Sequence, residues 1–327
     1  MGIVIGMDEA GYGPNLGPLV ITVTVWEVPG HPRETDFWKA FSPVISQSHS
    51  YKSNRLHVAD SKQVYSPSKG LRQLERSVIS ALELAGKSAE SFQALCGNLQ
   101  PSKVAQRVGS NVYAEEETRA ENLPWLDDDL AIPFSKLAEN DFQIVEPWAR
   151  CCFDAGIRLL DIKSRVAHPD EFNRLLQRTG SKGILLSQQS MELMRSVWNP
   201  DDEQPTLVVA DKHGGRNRYD ELLSEVLDGR MVFRLQEKRE FSVYRVGKTE
   251  IRFQTKAEEH FPVAMASMVC KYLRELSMEL FNRFWCGHLP GLKPTKGYPL
   301  DARRFKDEIE QKQLELGIAD IDLWREK

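Results

Sequence analysis

An α/β fold, in which helices cover a mixed central sheet, is predicted by three features of the sequence. Short runs rich in Val, Ile and Thr alternate with longer segments whose apolar residues recur at helical spacing. Two of the runs that read as buried strands, "GIVIGMD" and "TLVVAD", stop at an acid. Hydrophobic residues make up 41% and charged residues 28% of the 327, which suits a sizeable core and leaves little room for disorder.

The elements follow in chain order. Residues 2–8 read as a buried strand and 18–28 as a second, and the compact turn "EAGYGPNLGP" makes them antiparallel neighbours. Residues 56–86 hold a loop and then a helix. Leu71, Leu74, Val78, Ile79 and Leu82 share one face of it, and Ser66-Pro67 is its expected N-cap and first turn. Residues 96–147 are polar and irregular, with acidic clusters at Glu115–Glu117 and Asp127–Asp129. They read as an insertion of loop and short helix on the core. Residues 156–167 form a strand, "HPDEFNRLLQ" opens a helix, and 181–198 is a longer one. "PTLVVAD" (205–211) is a buried strand, and "RMVFRLQ" and "FSVYRVG" pair as strands. Ile251, Phe253 and Thr255 alternate at the strand period. Residues 262–285 form a strong helix with Pro262 in its first turn and an apolar stripe of Met265, Met268, Val269, Tyr272, Leu276, Leu280 and Phe284. A loop and a charged helix occupy 294–317. One domain is expected over 1–327, with the insertion at about 96–147 and a C-terminal helical extension at about 294–327. No internal repeat stands out.

Composition narrows the function classes. No run approaches the roughly 20 apolar residues of a membrane span, so no membrane partner is expected. The start "MGIVIGMDEA" lacks the basic and long apolar parts of a signal peptide, and a cytoplasmic location is expected. Five cysteines without a C-x-x-C pair read as reduced thiols, neither a disulfide scaffold nor a zinc site. Net charge is −4, so any nucleic-acid binding must use a local basic face. A monomer is the default expectation.

Acids recur in three matching contexts. Asp8 and Glu9 end the first strand, Asp211 ends "TLVVAD", and Glu258 lies just before the helix that starts near Pro262. Sites in α/β folds gather at strand C-terminal ends and the adjoining helix N-termini. If the strands ending at Asp8 and Asp211 are parallel neighbours, four carboxylates converge. Such a set suits Mg²⁺ or Mn²⁺ and not zinc. A pair of ions about 4 Å apart performs in-line phosphoryl displacement. The plainer readings are a turn or helix cap for each aspartate and favourable placement at a helix N-terminus for Glu258. A dinucleotide-binding reading of "GYGPNLG" is weak. Its third glycine comes one residue late, Pro14 lacks an N–H, and the two acids repel a pyrophosphate.

"GMDEAGYGPNLGPLV" resembles the opening motif of bacterial ribonuclease HII, with Asp8, Glu9, Ala10, Gly11, Gly13, Pro14, Gly17 and Pro18 in register. "ADSK" (59–62), "VVAD" ending in Asp211, "TKAEEHFPVAMASMVCKY" (255–272) and "KGYP" (296–299) resemble later motifs of that family in the same order. The resemblance covers residues 2–90 and 155–315. It implies a ribonuclease H-like fold and cleavage, with two Mg²⁺ or Mn²⁺ ions, of RNA paired with DNA or of ribonucleotides embedded in DNA. It carries metal binding and catalysis onto Asp8, Glu9, Asp211 and Glu258. Contact with the ribonucleotide's 2′-hydroxyl falls on Gly11, Tyr12 and Gly13, and packing on a sugar falls on Tyr298. The physics agrees, since the 2′-hydroxyl distinguishes RNA from DNA and glycine lets backbone approach a sugar.

The sequence also departs from the family. Tyr12 stands where ribonuclease HII usually has arginine, and Thr295 where a histidine often precedes Lys-Gly-Tyr. Glu258 in "KAE" is more like ribonuclease HIII, and 96–147 has no counterpart in the motif order. Tyr12 keeps open a nuclease of the same fold acting on branched or structured DNA, and a non-catalytic nucleic-acid-binding module is the third reading. Ser61 and Lys62 are candidate phosphate contacts, with capping by Asp60-Ser61 as the alternative. Lys212, Arg216, Arg218, Lys293, Lys296, Arg303 and Arg304 suggest a basic face beside the site. His213 and His260 read as local polar residues rather than proton donors, and the tryptophans as core.

Overall fold

The computed structural model describes residues 1–48, 53–101 and 123–326. Its first two strands are β1 (Gly2–Ala10) and β2 (Leu19–Val28), paired antiparallel as their compact turn requires. Helix α1 (Phe37–Phe41), the two-residue strands β3 (Ile45–Ser46) and β4 (Leu56–His57), and helices α2 (Ser61–Val64), α3 (Arg72–Leu84), α4 (Phe92–Leu99) and α5 (Val145–Ala155) lead to β5 (Arg158–Ala167). Helices α6 (Pro169–Thr179) and α7 (Lys182–Arg195) precede β6 (Thr206–Asp211) and α8 (Asp220–Val226). Strands β7 (Phe233–Glu237), β8 (Phe241–Val246) and β9 (Thr249–Gln254) follow. The chain ends with α9 (Phe261–His288), α10 (Pro299–Glu315) and α11 (Asp320–Leu323).

Seven strands form one mixed sheet in the order β5-β2-β1-β6-β9-β8-β7. β1 and β6 are parallel neighbours, with Met7 opposite Ala210, and β6 is parallel to β9. Alternating side chains feed two cores. Val4, Val20, Trp26 and Val28 pack on the side of α9, and Ile5, Met7, Ile21 and Val23 pack with α6, α7 and α8 on the other. The expected mixed sheet with helices on its faces is therefore present.

Helix α9 lies hard against the sheet because β1 has no side chain at Gly6. A Cβ there would sit 2.2 Å from the Pro262 carbonyl carbon. Thr24 Oγ1 donates to Pro262 O at 2.8 Å, tying the start of α9 to β2. The apolar stripe read from the sequence understates this helix. Ala264, Ala266 and Ser267 are buried as well, and so are Arg274, Glu275 and Asn282.

Two local expectations need correction. Helix α3 starts at Arg72, after Leu71, and Ser66-Pro67 lies in a separate turn closed by Lys69 N–H and Gly70 N–H to Ser66 O. Asp60 caps α2 instead, accepting from Lys62 N–H at 3.0 Å. Thr255 is exposed and outside β9, because the strand ends at Gln254 and Lys256 turns left-handed at φ 57°.

Part of the expected insertion joins the cores. Leu123 and Trp125 pack with Phe281 and Trp285 of α9, and Leu130 and Ile144 lie in the core on the α9 side of the sheet. The Glu115–Glu117 cluster lies outside the described residues, whereas Asp127 and Asp128 are exposed and Asp129 accepts from Gln93 N–H in α4 at 3.0 Å. No helix among the described residues is long and apolar enough to cross a membrane.

Candidate active site

The parallel pairing of β1 and β6 runs out at Met7 and Ala210, so the next residues, Asp8 and Asp211, sit side by side where the two strands part, Asp8 still paired with Thr22 of β2 and Asp211 with Gln254 of β9. Both lie on the face covered by α9, by the alternation that sends Val4 and Val209 the same way. Glu9 follows Asp8 at the strand end. Glu258 sits in a short 3₁₀ turn, residues 257–259, between β9 and α9, and Ala257 in that turn is buried against Val209 and Val263.

The charges of four carboxyls are linked through Glu9 and Glu258. Asp8, 7% exposed, has its pKa pushed well up by burial, then by Glu9 and Glu258. Burial and Asp211 push Glu9 up to about 7, against the opposing charge of Lys62. Asp211 and Glu258 are raised too, each chiefly by burial, and Glu258 also by the Asp211 charge. Asp60 adds a fifth carboxylate that acts on both Asp211 and Glu258. In the sequence Asp60 stands out as part of "ADSK" and as a cap, and it fills the capping role as well.

Lys62 is the cation in this group. Burial disfavours its ammonium, but Asp60, Glu258, Asp8 and Asp211 outweigh that and raise its pKa. Ser61, buried, takes a bond from Ser267 Oγ of α9 at 3.1 Å, and the Ser267 hydroxyl also lowers the Asp8 pKa. Cys270 of α9 reaches the Asp8 carbonyl at 3.1 Å. The start of α2 and the middle of α9 thus brace the end of β1.

Among the described residues, no three His, Cys, Asp or Glu side chains are close enough together to hold a metal ion as they stand. The carboxyls share one region of charge without forming a cage, as expected of like charges with only one ammonium among them. Their chemistry nonetheless fits a hard divalent cation. The donors are all oxygen, and a divalent charge would offset both the desolvation and the repulsion that raise their pKa values.

The turn after β1 carries the other candidates. Gly11 takes φ +90°, and a Cβ there would lie 2.4 Å from Pro18 O and 2.7 Å from Arg274 Nε, so only glycine fits. The half-buried Tyr12 points its hydroxyl at the turn after β6, where a Cβ on Gly214 would be 3.0 Å away. Burial and Glu9 raise its pKa, and Arg216 opposes them. Gly13 is exposed. The Lys296 ammonium is tied to Glu275 at 2.6 Å, and Tyr298 is 54% exposed at the head of α10.

Several basic residues expected at this face are engaged elsewhere. Lys212 is buried and donates to Asn217 Oδ1 and Lys238 O, both at 2.7 Å. Arg218 faces Glu237, and Arg304 bonds Asp301 and Glu308. Arg216, by contrast, keeps beside Tyr12 a buried Nε without a hydrogen-bond partner among the described residues. His213 is a core histidine. It is 3% exposed, bonded to Ser187 Oγ at 3.0 Å, and burial holds its pKa down at about 3. Sequence reading missed Arg274, Glu275 and Arg325. Nothing local marks them, since their partners are distant in the chain.

No protein-family model matches the chain, and no curated protein matches it. Among solved structures it is similar to the ribonuclease H2 of Pyrococcus horikoshii OT3, at 16% identity and TM-score 0.40, covering 98% of this chain and 92% of that one. It is also similar to the RNase HII of Archaeoglobus fulgidus, whose structure is a complex with PCNA, at 13% identity and TM-score 0.41, covering 99% and 94%. A third is the RNase H3 of Aquifex aeolicus, at 15% identity and TM-score 0.40, covering 98% and 70%. Likeness of this degree does not fix the chemistry.

Proposed function

We propose that this chain is a divalent-metal-dependent endonuclease of the ribonuclease H type, cutting the RNA strand of RNA/DNA hybrids or ribonucleotides embedded in DNA. The observation that carries the reading is the meeting of Asp8 and Asp211 at the ends of parallel neighbours, with Glu9 and Glu258 in electrostatic range. The ordered motifs at 8–18, 59–62, 211, 255–272 and 296–299 supply the substrate class.

In this reading Asp8, Glu9, Asp211 and Glu258 hold the ions. Two bound Mg²⁺ or Mn²⁺ ions would supply an activated water and charge stabilisation at the scissile phosphodiester. The chain's own residues bind and orient. Gly11, Tyr12 and Gly13 present backbone to the 2′-hydroxyl, which DNA lacks. Ser61 and Lys62 lie beside the acids and suit a backbone phosphate, with the Lys62 ammonium exchanging carboxylates for phosphate oxygens. Lys296 adds charge at the rim, and the exposed Tyr298 ring offers a surface for a sugar.

The test is cleavage of end-labelled duplexes: RNA/DNA hybrid, DNA with one ribonucleotide, plain DNA and plain RNA. Each is incubated with Mg²⁺, Mn²⁺ or chelator. Cutting at ribonucleotides that needs the metal, and that falls by about a thousandfold or more in Asp211→Asn while duplex binding survives, is the expected result. Tyr12 in place of arginine favours one second reading, a nuclease of branched or structured DNA. Cutting of DNA substrates alone would select it, and binding without cutting under any metal would leave a non-catalytic module.

A further inference from the structure

The two substrate-facing loops, 11–16 and 295–298, are built as one unit. Asn15 N–H and Leu16 N–H both donate to Gly297 O, at 2.8 and 3.3 Å. Arg274 of α9, 1% exposed, bridges the same loops from Nη2, reaching Leu16 O at 3.3 Å and Lys296 O at 3.0 Å.

The end of the chain closes this unit from beneath. Arg325 is fully buried, and its Nη2 donates to both Gly11 O and Pro14 O. Its guanidinium lies over the Phe172 ring of α6, 4.5 Å from the centroid. Its backbone exchanges two bonds with Asn15: Arg325 N–H to Asn15 O at 2.8 Å, and Asn15 Nδ2 to Arg325 O at 3.0 Å. Asn173 of α6 holds the same tail. It donates to Ile321 O and Trp324 O and accepts from Glu326 N–H.

Stability alone does not account for Arg325. Its Nε and Nη1 are buried with no hydrogen-bond partner among the described residues, and after burial the charge that disfavours its guanidinium is that of another cation, Arg274. A buried guanidinium without a carboxylate is costly. What it does achieve is the orientation of a peptide. A trans peptide sets its C=O and N–H on opposite sides. Drawing the Gly11 carbonyl toward Arg325 therefore turns the Tyr12 N–H to the far side of the turn. With a tyrosine at position 12, the positive charge at this turn comes from below it.

We propose that Arg325 is a positioning residue for ribonucleotide recognition. By holding the Gly11 and Pro14 carbonyls it sets the turn whose backbone meets the 2′-hydroxyl, and it makes the C-terminal tail part of the recognition device. This rests on the function proposed above.

The test compares wild type, Arg325→Ala and Arg325→Lys. One readout is steady-state cleavage of duplex DNA carrying one ribonucleotide, and the other is amide hydrogen exchange at Tyr12 and Gly13. Circular dichroism checks the fold. Arg325→Ala is expected to raise KM about tenfold with kcat nearly unchanged, and to speed exchange at the turn by about tenfold. Added guanidinium ion should reverse part of both effects, and Arg325→Lys should fall between. A folded Arg325→Ala with wild-type KM and wild-type exchange overturns the proposal. If Arg325→Ala does not fold, the same readouts on Asn173→Ala, which cuts the tail's bonds to α6, decide it: unchanged KM and exchange overturn it. Wild type that neither cuts nor prefers the ribonucleotide duplex overturns the functional reading itself. Wild type that cuts, beside an unaffected Arg325→Ala, overturns only the role of Arg325.

Discussion

Replacing Glu275 by glutamine tests how the loop at 295–298 is anchored to α9. The carboxylate is 3% exposed in α9 and accepts from Lys271 Nζ and Lys296 Nζ, both at 2.6 Å, and from Tyr65 Oη at 2.7 Å. Burial works to raise its pKa, but the two ammoniums overcome it and hold the carboxyl down at about 2, against an ordinary 4.5. That gap corresponds to about 3 kcal/mol of stability at neutral pH. The folded pKa is depressed, so this contribution is complete above pH 4.5 and disappears as the pH falls through 2. Glu275→Gln should therefore cost about 3 kcal/mol at pH 7 and about 1 kcal/mol at pH 3. Lys296 is 43% exposed, so solvent screens its share and most of the loss belongs to Lys271. Urea unfolding followed by tryptophan fluorescence at the two pH values measures it. An equal loss at both, or a loss near zero at pH 7, would show that the buried network does not hold the loops as argued.

Two further changes probe the frame and the acids. Gly6→Ala puts a methyl 2.2 Å from the Pro262 backbone and should destabilise by about 3 kcal/mol in the same assay; an unchanged midpoint would mean that α9 can back away freely. Glu9 has a raised folded pKa of about 7 against an ordinary 4.5, so metal-free protein should gain stability as the pH falls from 7 toward 4.5. Glu9→Gln should then be more stable than wild type by about 3 kcal/mol at pH 8, with the gain fading by pH 4.5, and Mg²⁺ should raise the Tm of wild type more than that of the variant. A variant with the same advantage at both pH values would refute the attribution to charge.

The layout of strands and helices was legible because it rests on local periodicity. Strands β1, β2, β6 and β8 sit where β-branched runs lie, and α9 extends its pattern by one residue at its start and three at its end. The parallel pairing of β1 with β6 was legible only as a condition, since strands about 200 residues apart carry no mark of their register. The start of α3 was misread because Ser66-Pro67 has the chemistry of a helix start but closes its own turn, with Gly70 at φ +69° before the helix begins. The stripe on α9 was too narrow for a related reason. Arg274, Glu275 and Asn282 look solvent-facing in sequence, and only partners in other loops make their burial tolerable.

The candidate site divides along the same line. Its acids sit in short, readable contexts, "MDEA", "VVAD" and "KAEE", because a strand end or a helix start is a local event. The groups that hold the surrounding loops are not local: Tyr65 meets Glu275 across 210 positions, and Arg325 meets Gly11 across 314. The sequence reading assigns Lys212 and Lys296 to a nucleic-acid face, while the structure spends both on internal contacts, and it spends Lys271, Arg274 and Arg325, which the sequence does not mark, in the same way. A cluster of partly buried, mutually repelling carboxyls pushes its loops apart, and bonds from outside the cluster must oppose that push. The buried basic residues supply them. The frame around the acids is therefore a matter of tertiary pairing, and its failure should appear as loosened loops before it appears as lost acids.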